Sequence, residues 1–342
     1  ANLTTNGGDI TLWANSAGAT TGGIIVNNGT TLSSGGGWIT LGGSVGTISG
    51  LPATSALGTA LPQGYAKNAN TLTGLSLGSS VGPVSQTANI TINSGNGRVG
   101  LAGESSVHAT SGASLISFGL VAYNGVNINT GSGDLVAYGL TSGTPTGGTS
   151  FTAALQLQPW ASAQTTGSVW KTNGGNIVQS TAVGSSLNVA GTSNLDAGTG
   201  DVTLSNASNL FVGAVSVQAH NVDLAGSNGL ILGSSTVTGL LNVTAATGNV
   251  TQAGPLNVTG SSHFTAVQGD VLLDAANSFA QTVALSAVNA TIHSTSALTL
   301  ANSTITGNLD AQVDAGDVTQ SGPLNVAGTS AITATAGAIR LT

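Results

Sequence analysis

Residues 249–258 read Asn-Val-Thr-Gln-Ala-Gly-Pro-Leu-Asn-Val, and residues 317–326 read Asp-Val-Thr-Gln-Ser-Gly-Pro-Leu-Asn-Val. Each stretch opens on a small turn followed by an apolar residue, and this turn mark recurs at Val202, Leu230, Val250, Val271, Leu298, Val318 and Ile339. Intervals of about 27, about 20 and about 21 residues separate successive marks and then recur in the same order, which is the behaviour of a repeat architecture. They make a superrepeat of about 68 residues, and a fixed period of this kind indicates a solenoid.

The residues after each mark alternate between apolar and polar, as in Val202-Thr203-Leu204. This alternation, rich in β-branched residues, predicts short strands with one buried face. The Gly-Asp and Gly-Asn pairs before the marks tolerate positive φ, which suits a tight corner. We therefore predict an all-β fold, a parallel β-helix in which each of the three intervals is one rung and the longest interval carries a longer corner. Leu230, Val250 and Val271 should then point inward at equivalent positions of adjacent rungs, in parallel ladders.

The first half of the chain carries the same mark at wider and less even spacings, at Ile10, Ile39, Val99, Leu135 and Ile177. The longer spacings indicate rungs that carry insertions or have lost the mark. The twelve marks together predict about 12 or more rungs.

These spacings divide the chain into two regions. Residues 1–175 are predicted to form an irregular β-helix with inserted loops, and residues 176–342 a regular β-helix shaft that contains the superrepeat. We place the loops at 51–75 and 140–170, because proline cannot donate to a strand ladder. The prolines in question are Pro52, Pro62, Pro145 and Pro159.

The composition excludes several kinds of partner. Only 4% of the residues are charged, four of them basic, and the formal net charge is −7, so nucleic acid is not expected to bind. Neither a basic amphipathic helix nor a long apolar run occurs, so no membrane insertion is expected. Cysteine is absent, which removes disulfides and thiol chemistry. The chain has no initiating Met and no signal peptide, so we interpret it as a piece of a longer or processed protein.

Catalysis has little support in the acidic residues. A polysaccharide-active β-helix enzyme is the alternative to a structural role, and its site would need two or more acidic groups held together. Among the acidic residues outside the recurring corner position, the only local pair is Asp310 and Asp314. Five aspartates occupy the recurring corner position and are predicted to be turn residues: Asp9, Asp134, Asp201, Asp270 and Asp317. We expect no catalytic residues.

The histidines show no metal-ligand spacing, so we expect neither a metal nor a cofactor. They are His108, His220, His263 and His293. The Thr236/Thr238 and Thr304/Thr306 pairs are similar to the threonine arrays of ice-binding solenoids. That less favoured alternative requires such a pair on every consecutive rung.

A glycan-contacting surface is the best candidate for a site. All four Trp and all three Tyr lie at or before residue 170, and several fall in the predicted loops, where rigid rods commonly bind. The candidate glycan-binding residues are Tyr65, Lys67, Trp160, Trp170 and Lys171. Alternatively, the aromatic rings pin these loops against the shaft.

The turns Gly-Asp-Val-Thr-Leu and Gly-Asn-Val-Thr-Gln, the short degenerate rungs and the abundance of Gly, Ser, Thr, Asn and Ala resemble the shafts of filamentous-haemagglutinin-type exoproteins and large autotransporter adhesins of Gram-negative bacteria. The resemblance covers residues 176–342 well and 1–175 loosely. It implies a right-handed parallel β-helix, export across the outer membrane and a role in adhesion, aggregation or biofilm.

We therefore expect a structural or adhesive protein, extracellular or on the bacterial cell surface, whose shaft works by length and stability. Its expected partners are other copies of itself, or flanking parts of a longer parent chain, together with surface glycans. Assembly into a filament and the route of export stay open.

Overall fold

The computed structural model of the protein is all-β, with 38 strands and no helix among the described residues. Consequently, no helix of sufficient length and apolarity to cross a membrane lies in the ranges that the structure describes. Those ranges are 1–14, 23–43, 66–69, 73–77, 90–106, 118–122, 126–142, 153–157, 162–165, 167–172, 174–179 and 186–342.

The chain divides into two compact units. The first comprises residues 1–191 with 196–200, and the second comprises 192–195 with 201–342. The boundary that we predict between residues 175 and 176 lies inside the first unit.

The first unit contains short strands separated by glycine-rich corners. Its described strands are β1 (Asn2–Thr4), β2 (Ile10–Ala14), β3 (Ile24–Val26), β4 (Thr31–Ser33), β5 (Ile39–Gly43), β6 (Ala66–Ala69), β7 (Thr73–Leu77), β8 (Ile90–Asn93), β9 (Val99–Ser106), β10 (Phe118–Ala122), β11 (Val126–Asn129), β12 (Asp134–Ser142), β13 (Ala153–Leu157), β14 (Ser162–Thr165), β15 (Gly167–Thr172), β16 (Ile177–Gln179) and β17 (Ser186–Val189). The next strand, β18 (Ser193–Asp196), contains the division between the units.

Successive turns of the first unit add one strand to each of three sheets. The strand orders are β1-β4-β8-β11-β14-β17, β2-β5-β9-β12-β15 and β3-β7-β10-β13-β16, with β6 beside β9. Every pair along these paths is parallel. Non-consecutive parallel neighbours of this kind are what a coil produces, because each strand pairs with its counterpart one turn away.

The turn marks of the first half are in register. Ile10 lies opposite Ile39, Ile39 opposite Val99, and Val99 opposite Leu135, and all four side chains are buried. Each of these three intervals is therefore one turn, so insertion and not a lost mark explains the longest, which runs from Ile39 to Val99. Ile177 belongs to a different sheet, on β16, where it lies opposite Leu155.

The predicted loop over residues 140–170 is wrong for the residues that the structure describes. Residues 153–157, 162–165 and 167–170 belong to β13, β14 and β15, which pair with neighbouring turns in regular register. In the same way, β6 and β7 occupy parts of the predicted loop at 51–75. A proline keeps only its own residue out of a ladder, and the four prolines lie outside the described residues.

The second unit is more regular and contains the remaining strands. They are β19 (Val202–Leu204), β20 (Leu210–Phe211), β21 (Val215–Ala219), β22 (Val222–Gly226), β23 (Leu230–Leu232), β24 (Ser235–Val237), β25 (Leu241–Ala245), β26 (Val250–Gln252), β27 (Leu256–Val258), β28 (Ser262–Ala266), β29 (Val271–Phe279), β30 (Thr282–Ala287), β31 (Ala290–Ser294), β32 (Leu298–Leu300), β33 (Ser303–Ile305), β34 (Leu309–Val313), β35 (Val318–Gln320), β36 (Leu324–Val326), β37 (Ser330–Ala334) and β38 (Ile339–Arg340).

Two long parallel stacks contain most strands of the second unit, whereas β20 lies in another sheet. One stack, which we call the Leu230 sheet, follows β21-β23-β26-β29-β31-β34-β37. The other, the Val222 sheet, follows β19-β22-β25-β28-β30-β32-β35-β38. Short strands β24 and β27 continue the Leu230 sheet at its side, and β33 and β36 continue the Val222 sheet.

The marks at Leu230, Val250 and Val271 occupy equivalent positions on adjacent turns, as predicted. Leu230 lies opposite Val250, and Val250 opposite Val271, in parallel pairs. All three side chains are fully buried. Phe264 and Phe279 add an edge-to-face contact to the core, with ring centroids 6.1 Å apart. The core thus consists of columns of like residues stacked from turn to turn.

The superrepeat does not equal a whole number of turns. From Leu230, three successive turns lead to Val250, Val271 and Ala290 within one sheet. Leu298, the residue equivalent to Leu230 in the next superrepeat, lies beyond Ala290 in the chain and belongs to the Val222 sheet, where it pairs with Val318. The longest interval, from Val271 to Leu298, is therefore one turn plus a step to the next side of the coil. Our interpretation of it as one rung with a longer corner is wrong.

The second unit has eight turns, counted along the Val222 sheet, and the β2 sheet of the first unit stacks five strands. Eight is the longest stack within one unit. The eight turns of this unit are fewer than the about 12 or more rungs that the sequence predicts, because the twelve marks are spread over both units.

Candidate functional site

The predicted glycan-binding residues are not brought together in the described part of the chain. Tyr65 and Trp160 lie outside the described residues, and Lys67 lies on β6, in register with Glu104 of β9. Trp170 is only 2% exposed, so its ring is not available for stacking on a sugar. Lys171, its neighbour on β15, places Nζ 2.7 Å from Oδ2 of Asp196. The alternative that an aromatic ring packs against the shaft fits Trp170.

A ladder of side-chain amides and carboxylates runs along one corner of the second unit. Oδ1 of Asn249 accepts a hydrogen bond from the N–H of Asp270, and Oδ1 of Asp270 accepts one from the N–H of Asn289, each at 2.9 Å. Asn289 and Asn308 continue the series, and Thr329 N–H donates to Asn308 at 2.9 Å. Each residue satisfies a backbone donor of the turn above, so the ladder joins adjacent turns at this corner.

Asp9, Asp201 and Asp317 behave in the same way, whereas Asp134 is the first residue of β12 and its Oδ2 lies 3.9 Å from Nη2 of Arg98. Oδ1 of Asp9 accepts from Trp38 N–H at 2.8 Å, and Oδ1 of Asp201 accepts from Asn221 N–H at 2.9 Å. These aspartates, which we predict to be turn residues, thus also hydrogen-bond the corner of the adjacent turn. The N–H of Ala338, which donates to Asp317 at 2.8 Å, lowers the pKa of that carboxyl below its usual range, and the nearby Arg340 guanidinium lowers it further.

The two aspartates at 310 and 314 differ in their surroundings. Asp310 is exposed on β34, and Oδ1 of Asp314 lies 3.0 Å from Nε2 of His293 on β31. Nδ1 of His293 is 3.4 Å from the backbone oxygen of Asp274. Within the described ranges, no three His, Asp or Glu side chains group as metal ligands. His108 lies outside those ranges.

The threonine pairs do not repeat on consecutive turns. Thr236 lies between Gln218 and Asn257 in its ladder, and Thr304 lies between Ser286 and Asn325. Around these two residues, the outward surface is therefore a mixed column of amides and hydroxyls rather than a threonine grid.

Two buried asparagines, Asn209 and Asn277, were missed by the sequence analysis. Each is fully buried, and each donates through Nδ2 to a carbonyl before it on its own turn, Leu204 at 3.1 Å and Leu273 at 3.2 Å. The backbone oxygen of Asn277 accepts from Thr295 N–H at 2.7 Å, as that of Asn209 does from Ser227 N–H. Their signal was present, since the two residues occupy equivalent positions of successive superrepeats.

Glycine corners of the first unit carry a second recurring element, Ser/Thr-x-x-Gly. Ser94 Oγ donates to Gly97 O at 2.6 Å, and Thr130 Oγ1 donates to Gly133 O at 2.7 Å on the next turn. A Cβ at Gly97 would overlap the carbonyl of Gly37, and one at Gly133 would overlap the carbonyl of Gly97. The corners stack so closely that only glycine fits there.

An open groove of about 440 Å³ lies on the surface of the second unit, beside β20. Its lining includes Phe211, Val212, Ile231 and the two corner asparagines Asn228 and Asn249. Val212 is 55% exposed, one of the larger exposed fractions among the apolar side chains that the structure describes. Sequence reasoning gave no signal for this groove, because it depends on where three turns meet.

These features define the protein as a repeat-built parallel β-solenoid. A family model described as repeats of unknown function (DUF5649) matches residues 149–218, 219–286 and 287–342. The chain belongs to that family, and the middle match has the length of one superrepeat. Searches of curated proteins and of solved structures found no match.

Proposed function

We propose that the chain is part of the rigid shaft of an exported adhesive protein at the bacterial cell surface, acting in adhesion, aggregation or biofilm. The observation that carries the proposal is the corner ladder from Asn249 to Thr329, which repeats one bond from turn to turn. A structure whose turns each bind only their neighbours grows in length without a larger core. Each turn adds about 4.8 Å of length.

The composition supports the same proposal. The column formed by Gln218, Thr236, Asn257 and Ser278 is neutral, so no like charges stack one strand apart along it. A surface with few charges also offers little repulsion to lateral contact. Other copies of the chain, or neighbouring parts of a longer parent, are therefore the partners that we propose. We assign no reaction to the chain.

Antibodies raised against the chain test its location on intact cells of the bacterium that produces it. We expect labelling without permeabilisation, removal of the label by added protease, and weaker adhesion or aggregation after the gene is disrupted. Labelling that requires permeabilised cells would overturn the proposed location. Unchanged adhesion, aggregation and biofilm in the disrupted strain would overturn the proposed role.

A further inference from the structure

We propose that the groove beside β20 binds a neutral oligosaccharide. The inference rests on the proposed adhesive function, because it names the ligand class for which that function provides a use. The groove is lined by residues between 210 and 251, all in the second unit, and its lining includes none of the predicted glycan-binding residues.

The floor of the groove departs from the pattern of the repeat. Its outward apolar residues Val212 and Ile231 correspond, one superrepeat later, to Ala280 and Thr299. At Thr299 the outward hydroxyl instead meets Thr319, with the two Oγ1 atoms 2.9 Å apart. The fold therefore works with small or polar side chains at these places. The apolar residues at 212 and 231 are a local feature that the solenoid itself does not need.

Two carboxamides at the rim offer donors to a ligand. Oδ1 of Asn249 accepts from Asp270 N–H at 2.9 Å, and Oδ1 of Asn228 lies 3.5 Å from Thr247 Oγ1. Both side-chain oxygens thus face groups of this chain, whereas neither Nδ2 has an acceptor among the described residues. Both asparagines are exposed, so their N–H groups are open to hydroxyl oxygens of a ligand.

A neutral sugar matches this combination better than a charged ligand does. A pyranose has an apolar C–H face for Val212 and Ile231 and equatorial hydroxyls for the two amides. No charged side chain lines the groove, and the chain as a whole carries −7, so anionic polymers are repelled and cations have no ligand. The volume of about 440 Å³ falls in the usual range of small-molecule sites.

The test is saturation-transfer NMR on the full chain with lactose, maltotriose and triacetylchitotriose as probes, followed by titration of any probe that binds. One variant combines Val212→Ala with Ile231→Thr, which introduces the residues of the following repeat. A second, Asn249→Asp, keeps the acceptor for Asp270 N–H and removes the amide donor, as Asp317 does in its own corner. Val267→Ala, at a residue that is 60% exposed outside the groove, is the control.

We expect at least one probe to bind, with affinity lower by about tenfold in the double variant and by about fivefold in Asn249→Asp. The Val267→Ala control should match the parent. Absence of binding by all three probes overturns the inference, and so does binding that both variants leave unchanged. Capture of a short Leu- and Phe-rich peptide in place of the sugars also overturns it. None of these results bears on surface location, so failure here and failure of the proposed function are distinguishable.

Discussion

Gly97 is placed where the corner of one turn rests on the corner of the turn below. A methyl group there would overlap the backbone oxygen of Gly37, and that oxygen belongs to a hydrogen-bonded corner that has little freedom to move. We expect Gly97→Ala to lower the stability by about 2 kcal/mol or more. Gly100→Ala is the matched control, since its Cβ would meet only the Thr40 side chain at 3.7 Å. Equal unfolding midpoints in urea for the two variants would contradict the stacked corner.

Val250 lies in the centre of the apolar column between Leu230 and Val271. Val250→Asp buries a carboxylate without a partner, and we expect a loss of about 3 kcal/mol or more in unfolding free energy. Val267→Asp, at a residue that is 60% exposed, should leave the urea midpoint close to that of the parent. A Val250→Asp protein as stable as the control would show that this column is not the core.

Asp317 should make stability depend on pH in a narrow acidic window. Its pKa in the folded chain lies below the unfolded value of 3.8, chiefly because Ala338 N–H donates to the carboxylate. The contribution is therefore present above pH 3.8 and is lost as the pH falls through the lower folded pKa. Asp317→Asn keeps the acceptor, as Asn249 does for Asp270, and cannot titrate. The difference in thermal midpoint between parent and variant should shrink below pH 3.8, and a difference that stays constant on acidification would exclude this role.

At the scale of single residues, the sequence predicts a position correctly where the residue type in that pattern has few other structural roles. The inward marks and the corner aspartates were predictable, because period-two apolar residues and Asp in tight turns have few other roles. The recurrence of Asn209 as Asn277 marks a repeated position, but it does not show that the position is buried, since Asn257 also recurs, as Asn325, and is exposed. The burial of Asn277 depends on Gln252 one turn below, whose Nε2 lies 2.6 Å from Asn277 Oδ1.

Strands and corners differ in how they tolerate a change of length. The turns of the second unit differ in length. One turn runs only from Val215 to its partner Leu232, whereas another runs from Val250 to Val271. The corners therefore accommodate the differences in length. Strand β25 alternates strictly between buried and half-buried residues. One added residue within it inverts the alternation on one side of the insertion, so inward and outward residues exchange faces there.

An inserted glycine tests this difference. Placed between Val243 and Thr244, inside β25, it should lower the unfolding midpoint strongly. Placed between Ala246 and Thr247, in the corner that follows, it should have a small effect. The measurement is urea unfolding followed by circular dichroism. Equal loss from both insertions would mean that the strand register is not what fixes the turn.

The strands of the first unit show where element prediction fails. Residues 153–157 read Ala-Ala-Leu-Gln-Leu, a weak alternation beside Pro159, and their assignment to β13 depends on pairing with β10 and β16 on adjacent turns. Such pairing is a tertiary effect that a local pattern does not contain.

For the molecule as a whole, the periodicity of the sequence was enough to predict the class of fold. It was not enough to predict how many turns of the coil one superrepeat spans. A sequence period gives the distance between equivalent residues, whereas a turn is set by which backbone groups pair. The two differ here by the segment that leads from Ala290 to Leu298. Only the register of strand pairing shows that equivalent residues of successive superrepeats lie in different sheets.

Because the superrepeat is not a whole number of turns, successive copies are rotated as well as translated along the coil. Duplicating one superrepeat places each new copy further along the axis and also turns it to face another direction, from the Leu230 sheet to the Val222 sheet. Identical surfaces of successive copies therefore do not line up along one flank. A flat target lying against the second unit meets unlike surfaces in succession, whereas targets approaching from different directions can each meet a like one.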